Sequence, residues 1–169
     1  MKMNVKEVTK LGMVAAIYVA GAYLQSMLFL GTAHGQIQFR LSEMLVLLCL
    51  YHKKYAWSII IGAFVAAMLG GLGVWDMTLG TTHSIISVWL IIKVSELNLK
   101  ENTKLWLASL MVLPACFLIG IVLNQTVGVP ILLTTILVMI GQFVVVTLIG
   151  VPVFKALTKN EAFMEKIQL

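Results

Sequence analysis

The sequence predicts an all-α integral membrane protein, a single transmembrane domain over residues 1–169 folded as a six-helix bundle. Three observations carry this. Of the 169 residues, 60% are hydrophobic and 11% are charged, against roughly half and about a quarter in a soluble domain. The apolar residues fall in repeated runs near the ~20-residue length that crosses a bilayer as a helix, and the mean hydropathy is +1.00. The basic residues collect at alternate ends of those runs. The composition excludes disorder, a nucleic-acid-binding tail and an ordinary cytosolic enzyme.

Taken in order, the first helix is expected from Val8 to Phe29. It lacks a clear small-residue cleavage site and is long enough to span, so it reads as a retained helix and not a removed signal peptide. The second is expected from Ile37 to Leu50, the third from Tyr55 to Leu69 and the fourth from Thr81 to Val94. These three are short for full spans, so their connections are expected to dip into the membrane. The fifth runs from Leu105 to Leu123 with a kink at Pro114, and the sixth from Pro130 to Leu157 with a kink at Pro152. Pro130 suits a first helical position, where its missing N–H costs nothing. Cys49 and Cys116 lie inside apolar runs and read as free buried thiols. No CxxC and no metal-type Cys/His spacing occurs, so neither a metal nor another cofactor is expected.

Charge sets the orientation. Lys2, Lys6 and Lys10 lie at the N-terminus. Lys53 and Lys54 join the second to the third, Lys93, Lys100 and Lys104 join the fourth to the fifth, and Lys155, Lys159 and Lys166 end the chain. The other three connections hold no lysine. By the positive-inside rule both termini are cytoplasmic. The net charge of +5 is thus a topology signal, and nucleic acid is not needed to explain it.

The twelfth basic residue, Arg40, breaks the pattern, in Gln36-Ile37-Gln38-Phe39-Arg40-Leu41-Ser42-Glu43. Counted back from Lys53 at about 1.5 Å per residue, Arg40 stands roughly 20 Å and Glu43 roughly 15 Å into a straight helix. Both charges then lie at membrane depth, where facing lipid would cost each at least ~2.5 kcal/mol. Three residues apart, they share a helix face. Two roles are open: a structural ion pair, or the lining of a polar ligand pocket. The helix dipole favours Glu43 and opposes Arg40 near an N-terminus, so Arg40 needs a further partner.

A second exception is the stretch Gly70-Gly71-Leu72-Gly73-Val74-Trp75-Asp76-Met77-Thr78-Leu79-Gly80-Thr81, expected as the outer connection between the third and fourth helices. It lacks the Gly-Lys-Ser/Thr ending of a phosphate loop. Asp76 either caps the fourth helix or accepts hydrogen bonds from a ligand. Trp75 is either an interfacial anchor or a stacking surface, with His83 two residues into the helix. His34, Gln36 and Gln38 precede the second helix, Asn124 and Gln125 follow the fifth, and Gln142 lies deep in the sixth, where it must find a partner. In the first helix, Gly12, Ala16 and Ala20 make a small-residue face that admits another helix, inside the bundle or from a partner subunit. No Ser/His/Asp order, HExxH or Walker motif is present, so nothing in this chain hydrolyses ATP.

The string from Gln36 to Glu43, Gly70-Gly71-Leu72-Gly73 with Trp75-Asp76 and Gly80, and Gly150-Val151-Pro152 together resemble the QueT family over nearly the whole chain. These are the substrate-binding S components of energy-coupling factor (ECF) transporters, linked to uptake of queuosine precursors. The resemblance implies a multi-pass protein of the bacterial cell membrane. It would capture a 7-deazaguanine such as 7-aminomethyl-7-deazaguanine, 7-cyano-7-deazaguanine or queuine. It would dock on a transmembrane coupling subunit that carries two cytoplasmic ATPases. The resemblance implies a pocket formed by the fourth to sixth helices and the outer loops, and Ala16 and Ala20 at the coupling subunit; the candidate substrate residues read from the sequence are Gln38, Phe39, Arg40, Glu43, Trp75, Asp76, His83, Asn124 and Gln142. The chain departs from the family pattern at Ala66-Ala67, where a polar residue is common, and at Gln142, where a glutamate is common. The second departure shifts the expected ligand towards an uncharged relative or queuine. The chemistry of a deazaguanine fits in outline: adjacent N–H donors for one carboxylate, a carbonyl for an arginine or amide, and a flat face for an aromatic ring. Rival readings are another vitamin-like heterocycle, a small membrane enzyme using Glu43, His83 and Asp76, or a purely structural subunit.

Overall fold

In the computed structural model, which describes residues 4–28 and 39–167, the described residues form helices and no strand. The first helix, α1 (Val5–Leu28), has no proline and carries Glu7 in its first turn, where the helix dipole favours an acid. Val5, Val8, Met13, Ile17 and Leu24 are exposed along it, while Leu11 and Tyr18 are buried. The helix therefore shows the bundle a narrow face and leaves a broad apolar one for lipid. It packs chiefly on α3 (Tyr55–Leu69). Gly62 makes that crossing possible, because a Cβ there would stand 3.0 Å from Tyr18 Cβ and 3.2 Å from its ring.

The expected second helix from Ile37 begins later. Ile37 lies outside the described residues, and Arg40 precedes the helix with φ −87° and ψ 81°. The helix α2 (Leu41–Tyr51) opens with seven 3₁₀ residues, Leu41–Leu47, and ends with Leu48–Tyr51 as α-helix. At about 2.0 Å per 3₁₀ residue and 1.5 Å per α residue it reaches roughly 20 Å, against about 16 Å for a pure α-helix of that length. The tighter winding lets a short segment keep Arg40 as far from Lys53 as a straight helix from Ile37 would have.

The expected outer loop from Gly70 to Gly80 is mostly helix. Only Gly70–Leu72 turn the chain, with positive φ at Gly71 (76°) and Gly73 (73°), which glycine alone adopts readily. Helix α4 then runs through Gly73–Trp75, a π-helical Asp76–Gly80 and Thr81–Glu96. The sequence from Val74 onward contains nothing that prevents helix formation, so the glycines at the start of the motif break the chain and the later one does not.

The expected fifth helix is two helices, α5 (Glu101–Leu110) and α6 (Cys116–Val127). Pro114 is the reason: its ring opposes the carbonyl four residues back, on Leu110, where α5 stops. A kink becomes a break because turns occupy residues 111–115. The last long helix, α7 (Ile131–Thr158), starts one residue later than expected, with Pro130 flanking it in extended geometry. Its middle, Phe143–Gly150, is π-helical. That widened stretch lies just ahead of Pro152, whose missing N–H interrupts the i→i−4 ladder. A short helix that the sequence reading did not foresee, α8 (Glu161–Ile167), folds back so that the Tyr55 hydroxyl donates to the Ile167 carbonyl at 3.1 Å.

Among the described residues, three helical stretches are long and apolar enough to cross a membrane: Val5–Gln25, Gly73–Ser95 and Ile131–Thr158. Helices α2, α3 and α6 are apolar but shorter. The core joins Tyr18, Val46, Leu47, Tyr55, Ile59, Ile91, Val112 and Val145, with a smaller cluster of Cys116, Ile119, Leu123 and Val138 between α6 and α7. One end of the bundle is tied by charge. Lys54 meets Glu7 at 2.7 Å, Lys53 meets Glu96 at 2.8 Å and Lys93 meets Glu96 at 3.3 Å. The two lysines hold the Glu96 carboxyl below its ordinary value of 4.5 through hydrogen bonds. The start of α1, the α2–α3 turn and the end of α4 thus share one end, as the lysine pattern requires.

Candidate functional site

The site is built where α1, α2 and α4 meet. Glu43 sits in the 3₁₀ opening of α2 and is fully buried. Its Oε1 accepts a hydrogen bond from the Tyr18 hydroxyl of α1 at 2.8 Å. Arg40 Nη2 approaches the same oxygen at 3.6 Å, so the expected ion pair is formed. His83 Nδ1 of α4 stands 4.0 Å from it. On the far side of the imidazole, His83 Nε2 lies 3.9 Å from Cys116 Sγ, and that thiol donates to the Val112 carbonyl at 3.6 Å. A line of polar groups therefore crosses the bundle from α1 through α2 and α4 to α6.

Local winding explains the convergence. Arg40 flanks the 3₁₀ segment, and the Glu43 backbone N–H donates to the Arg40 carbonyl at 3.0 Å, which holds the two residues side by side. His83 and Ser84 are buried on α4. Several of these groups keep unused capacity. Among the described residues, Glu43 Oε2, His83 Nδ1 and both amide atoms of Gln142 are buried without a hydrogen-bond partner. A buried polar atom left so costs free energy. A ligand that donates to the carboxylate removes that cost.

The sequence-selected residues divide. Arg40, Glu43 and His83 come together. The Asp76 carboxylate folds over Gly70 and Gly80. A Cβ at Gly80 would collide with it, so the glycine makes room for the acid. Trp75, one residue earlier, is 49% exposed. Phe39 packs against the main core. Gln142 is buried on α7, one turn beyond Val138, which packs in the cluster that holds Cys116. Asn124 is tied into the α6–α7 turn, where its side-chain amide donates to the Val129 carbonyl at 2.8 Å. Gln38, with His34 and Gln36, lies outside the described residues.

Tyr18 and Cys116 belong to this polar line, and the sequence reading gave neither a site role. Cys116 had no signal beyond its burial. Tyr18 had none either, since its ring satisfies the apolar run and only its hydroxyl is polar.

On the other side of α1, Ala15, Ala16, Val19 and Ala20 face Ile61, Gly62, Val65 and Leu69 of α3 across an open apolar groove of about 690 Å³. Ala16 and Ala20 are exposed in it. Among the described residues no cluster of three or more His, Cys, Asp or Glu side chains is placed to hold a metal ion.

No curated protein and no solved structure matches this chain. The family model described as QueT transporter matches residues 8–159. That match takes in every residue of the polar line and both sides of the groove, and the chain belongs to the QueT transporter family, as a membrane transporter rather than an enzyme.

Proposed function

We propose that this protein is the substrate-binding S component of an ECF-type ATP-driven importer, and that it takes up a queuosine precursor. The ligand class is 7-deazaguanine: 7-aminomethyl-7-deazaguanine, 7-cyano-7-deazaguanine or queuine. The observation that carries the reading is Glu43, a fully buried carboxylate whose Oε2 has no partner among the described residues. A deazaguanine presents adjacent N–H groups on one edge, and a carboxylate is the side chain that accepts from both. Arg40 or the Gln142 amide would serve the ring carbonyl, and Trp75 or Phe39 would cover its face. Six crossings with both termini in the cytoplasm accord with the lysine pattern and with the charge ties at one end.

The partners follow from the same reading. ATP is hydrolysed in separate cytoplasmic subunits, and a transmembrane coupling subunit docks on α1, where Ala16 and Ala20 leave the backbone accessible. Native mass spectrometry of the protein purified from cells fed each deazaguanine tests the ligand. A retained mass equal to one of the three supports the reading, and retention of a different heterocycle replaces the substrate while leaving the transporter in place. Co-purification with two ATPases is the expected assembly. Turnover of a bound compound by the isolated chain would overturn the S-component role.

A further inference from the structure

We infer that Tyr18 is a positioning residue that links the buried Glu43 carboxylate to the apolar groove between α1 and α3. The inference rests on the reading that Glu43 meets the ligand and that the groove meets the coupling subunit. It goes beyond that reading by naming how the two sites sense each other.

The geometry is that of a rigid rod gripped from one side. Tyr18 is fully buried, and its hydroxyl donates to Glu43 Oε1 at 2.8 Å. One turn later a Cβ on Gly21 would stand 3.7 Å from Ser42 Cβ, and one turn beyond that Gln25 Oε1 accepts from the Leu41 backbone N–H at 2.9 Å. Residues 18, 21 and 25 share one face of α1 at helical spacing. That face is fastened to the start of α2, the segment that carries Glu43. Ala16 and Ala20 each lie two positions from Tyr18, about 200° around the helix at 3.6 residues per turn, so they project from the opposite side into the groove.

The Tyr18 ring has no slack. It lies against Gly62 of α3, where an added Cβ would be 3.0 to 3.2 Å from the Tyr18 side chain, and Gly62 itself lines the groove. A shift of the Glu43 carboxylate on binding a ligand through Oε2 must therefore either break the Tyr18 hydrogen bond or move α1 against α3. Close-packed contacts switch between discrete arrangements and do not stretch. The second response changes the width of the groove. By linkage, a partner that holds the groove in one arrangement changes ligand affinity by the same factor.

The test measures the groove directly. Nitroxide labels on Ala20→Cys and Val65→Cys report its width by double electron–electron resonance in lipid nanodiscs. Cys49 and Cys116 are fully buried and stay unlabelled. The probes are 7-aminomethyl-7-deazaguanine, 7-cyano-7-deazaguanine and queuine, each with binding followed separately by equilibrium dialysis. Tyr18→Phe keeps the ring on Gly62 and removes only the hydroxyl. With Tyr18 present, a saturating ligand is expected to displace the mean distance by about 1–2 Å, the scale of a packed-helix shift. In Y18F, measured at a ligand concentration that dialysis shows to saturate that variant, the displacement falls below half of that. Equal displacement in both proteins, or none in either with ligand bound, overturns the link. If none of the three compounds binds, the deazaguanine reading fails and the ligand-free distributions decide on Tyr18. A distribution displaced or broadened by Y18F supports the link, and an unchanged one overturns it.

Discussion

Replacing Glu43 with glutamine changes one atom of the carboxylate and the net charge, and leaves the shape of the side chain. The amide oxygen can still accept from Tyr18, which now stands 2.8 Å from Oε1. The amide nitrogen then occupies the Oε2 position, which has no partner among the described residues, and turns an acceptor into a donor. A ligand that offers N–H groups there meets a donor instead. A hydrogen bond to a charged group contributes about 1.5–3 kcal/mol, and about 1.4 kcal/mol is a factor of ten in affinity. Glu43→Gln is therefore expected to weaken deazaguanine binding by roughly ten- to a hundredfold.

A second effect competes. Arg40 Nη2 lies 3.6 Å from Glu43 Oε1, and the substitution leaves that guanidinium, only 19% exposed, without its carboxylate. Loss of the pair lowers stability whether or not a ligand is present, so the melting temperature does not discriminate between the two roles. The ratio of affinities does. Isothermal titration of queuine, the cyano and aminomethyl deazaguanines, guanine and thiamin against both proteins gives that ratio. If Glu43 reads the N–H edge, the deazaguanines and guanine lose affinity together, and thiamin, which lacks that edge, loses less. A lower melting temperature with every affinity unchanged would refute the argument and leave Glu43 as the counter-charge of Arg40 alone.

Other outcomes follow from the same geometry. Ala16→Trp with Ala20→Trp fills the groove, so pull-down with the coupling subunit should fail while the isolated protein still binds ligand; joint loss would place the face inside the fold. Single cysteines near Gly71 and Gly128 should react with an impermeant maleimide from outside the cell, and those near Lys53 and Leu99 only after lysis; the reverse pattern would sink the proposed topology. Gly120→Ala should lower the thermal midpoint by the equivalent of about 1–3 kcal/mol, because its Cβ would collide with Thr135 Oγ1 and stand 3.1 Å from the Ile131 carbonyl. Gly12→Ala is the control, since a Cβ there meets nothing within 4 Å, and an equal loss at both sites would disprove the packing argument.

The fold was legible where an apolar run had clear punctuation. The range expected for α3 agrees at both ends, because the Lys53-Lys54 turn and Gly70-Gly71 bound it. Legibility failed where a residue has two physical outcomes. Pro114 kinks a helix if the neighbouring turns hold the ladder together and breaks it if they do not, and sequence spacing does not choose between them. Glycines gave the same ambiguity. Gly71 and Gly73 adopt positive φ and turn the chain, while Gly80 is helical and serves as space for the Asp76 carboxylate. The 3₁₀ opening of α2 had no signature, since nothing in the residues Leu41–Leu47 distinguishes that winding from an α-helix.

The candidate site was legible to the extent that charge at membrane depth is costly. Arg40 and Glu43 were visible because each breaks an apolar pattern, and their pairing followed from a separation of three residues. His83 was named for its chemistry, and burial then placed it against Glu43. What stayed hidden was the partner supplied by distant sequence. Tyr18 is 25 residues from Glu43, and a tyrosine in an apolar helix breaks no pattern, since its ring satisfies the run and only its hydroxyl is polar. The Gln142 amide shows the converse. Its burial and its lack of a partner among the described residues are as marked as those of Glu43 Oε2, yet a neutral amide presents a donor and an acceptor and so matches many ligands. The carboxylate presents acceptors alone. That asymmetry is why Glu43, and not Gln142, carries the assignment of an N–H-rich heterocycle, and why the ligand ranking in the Glu43→Gln protein tests the site more sharply than loss of binding would.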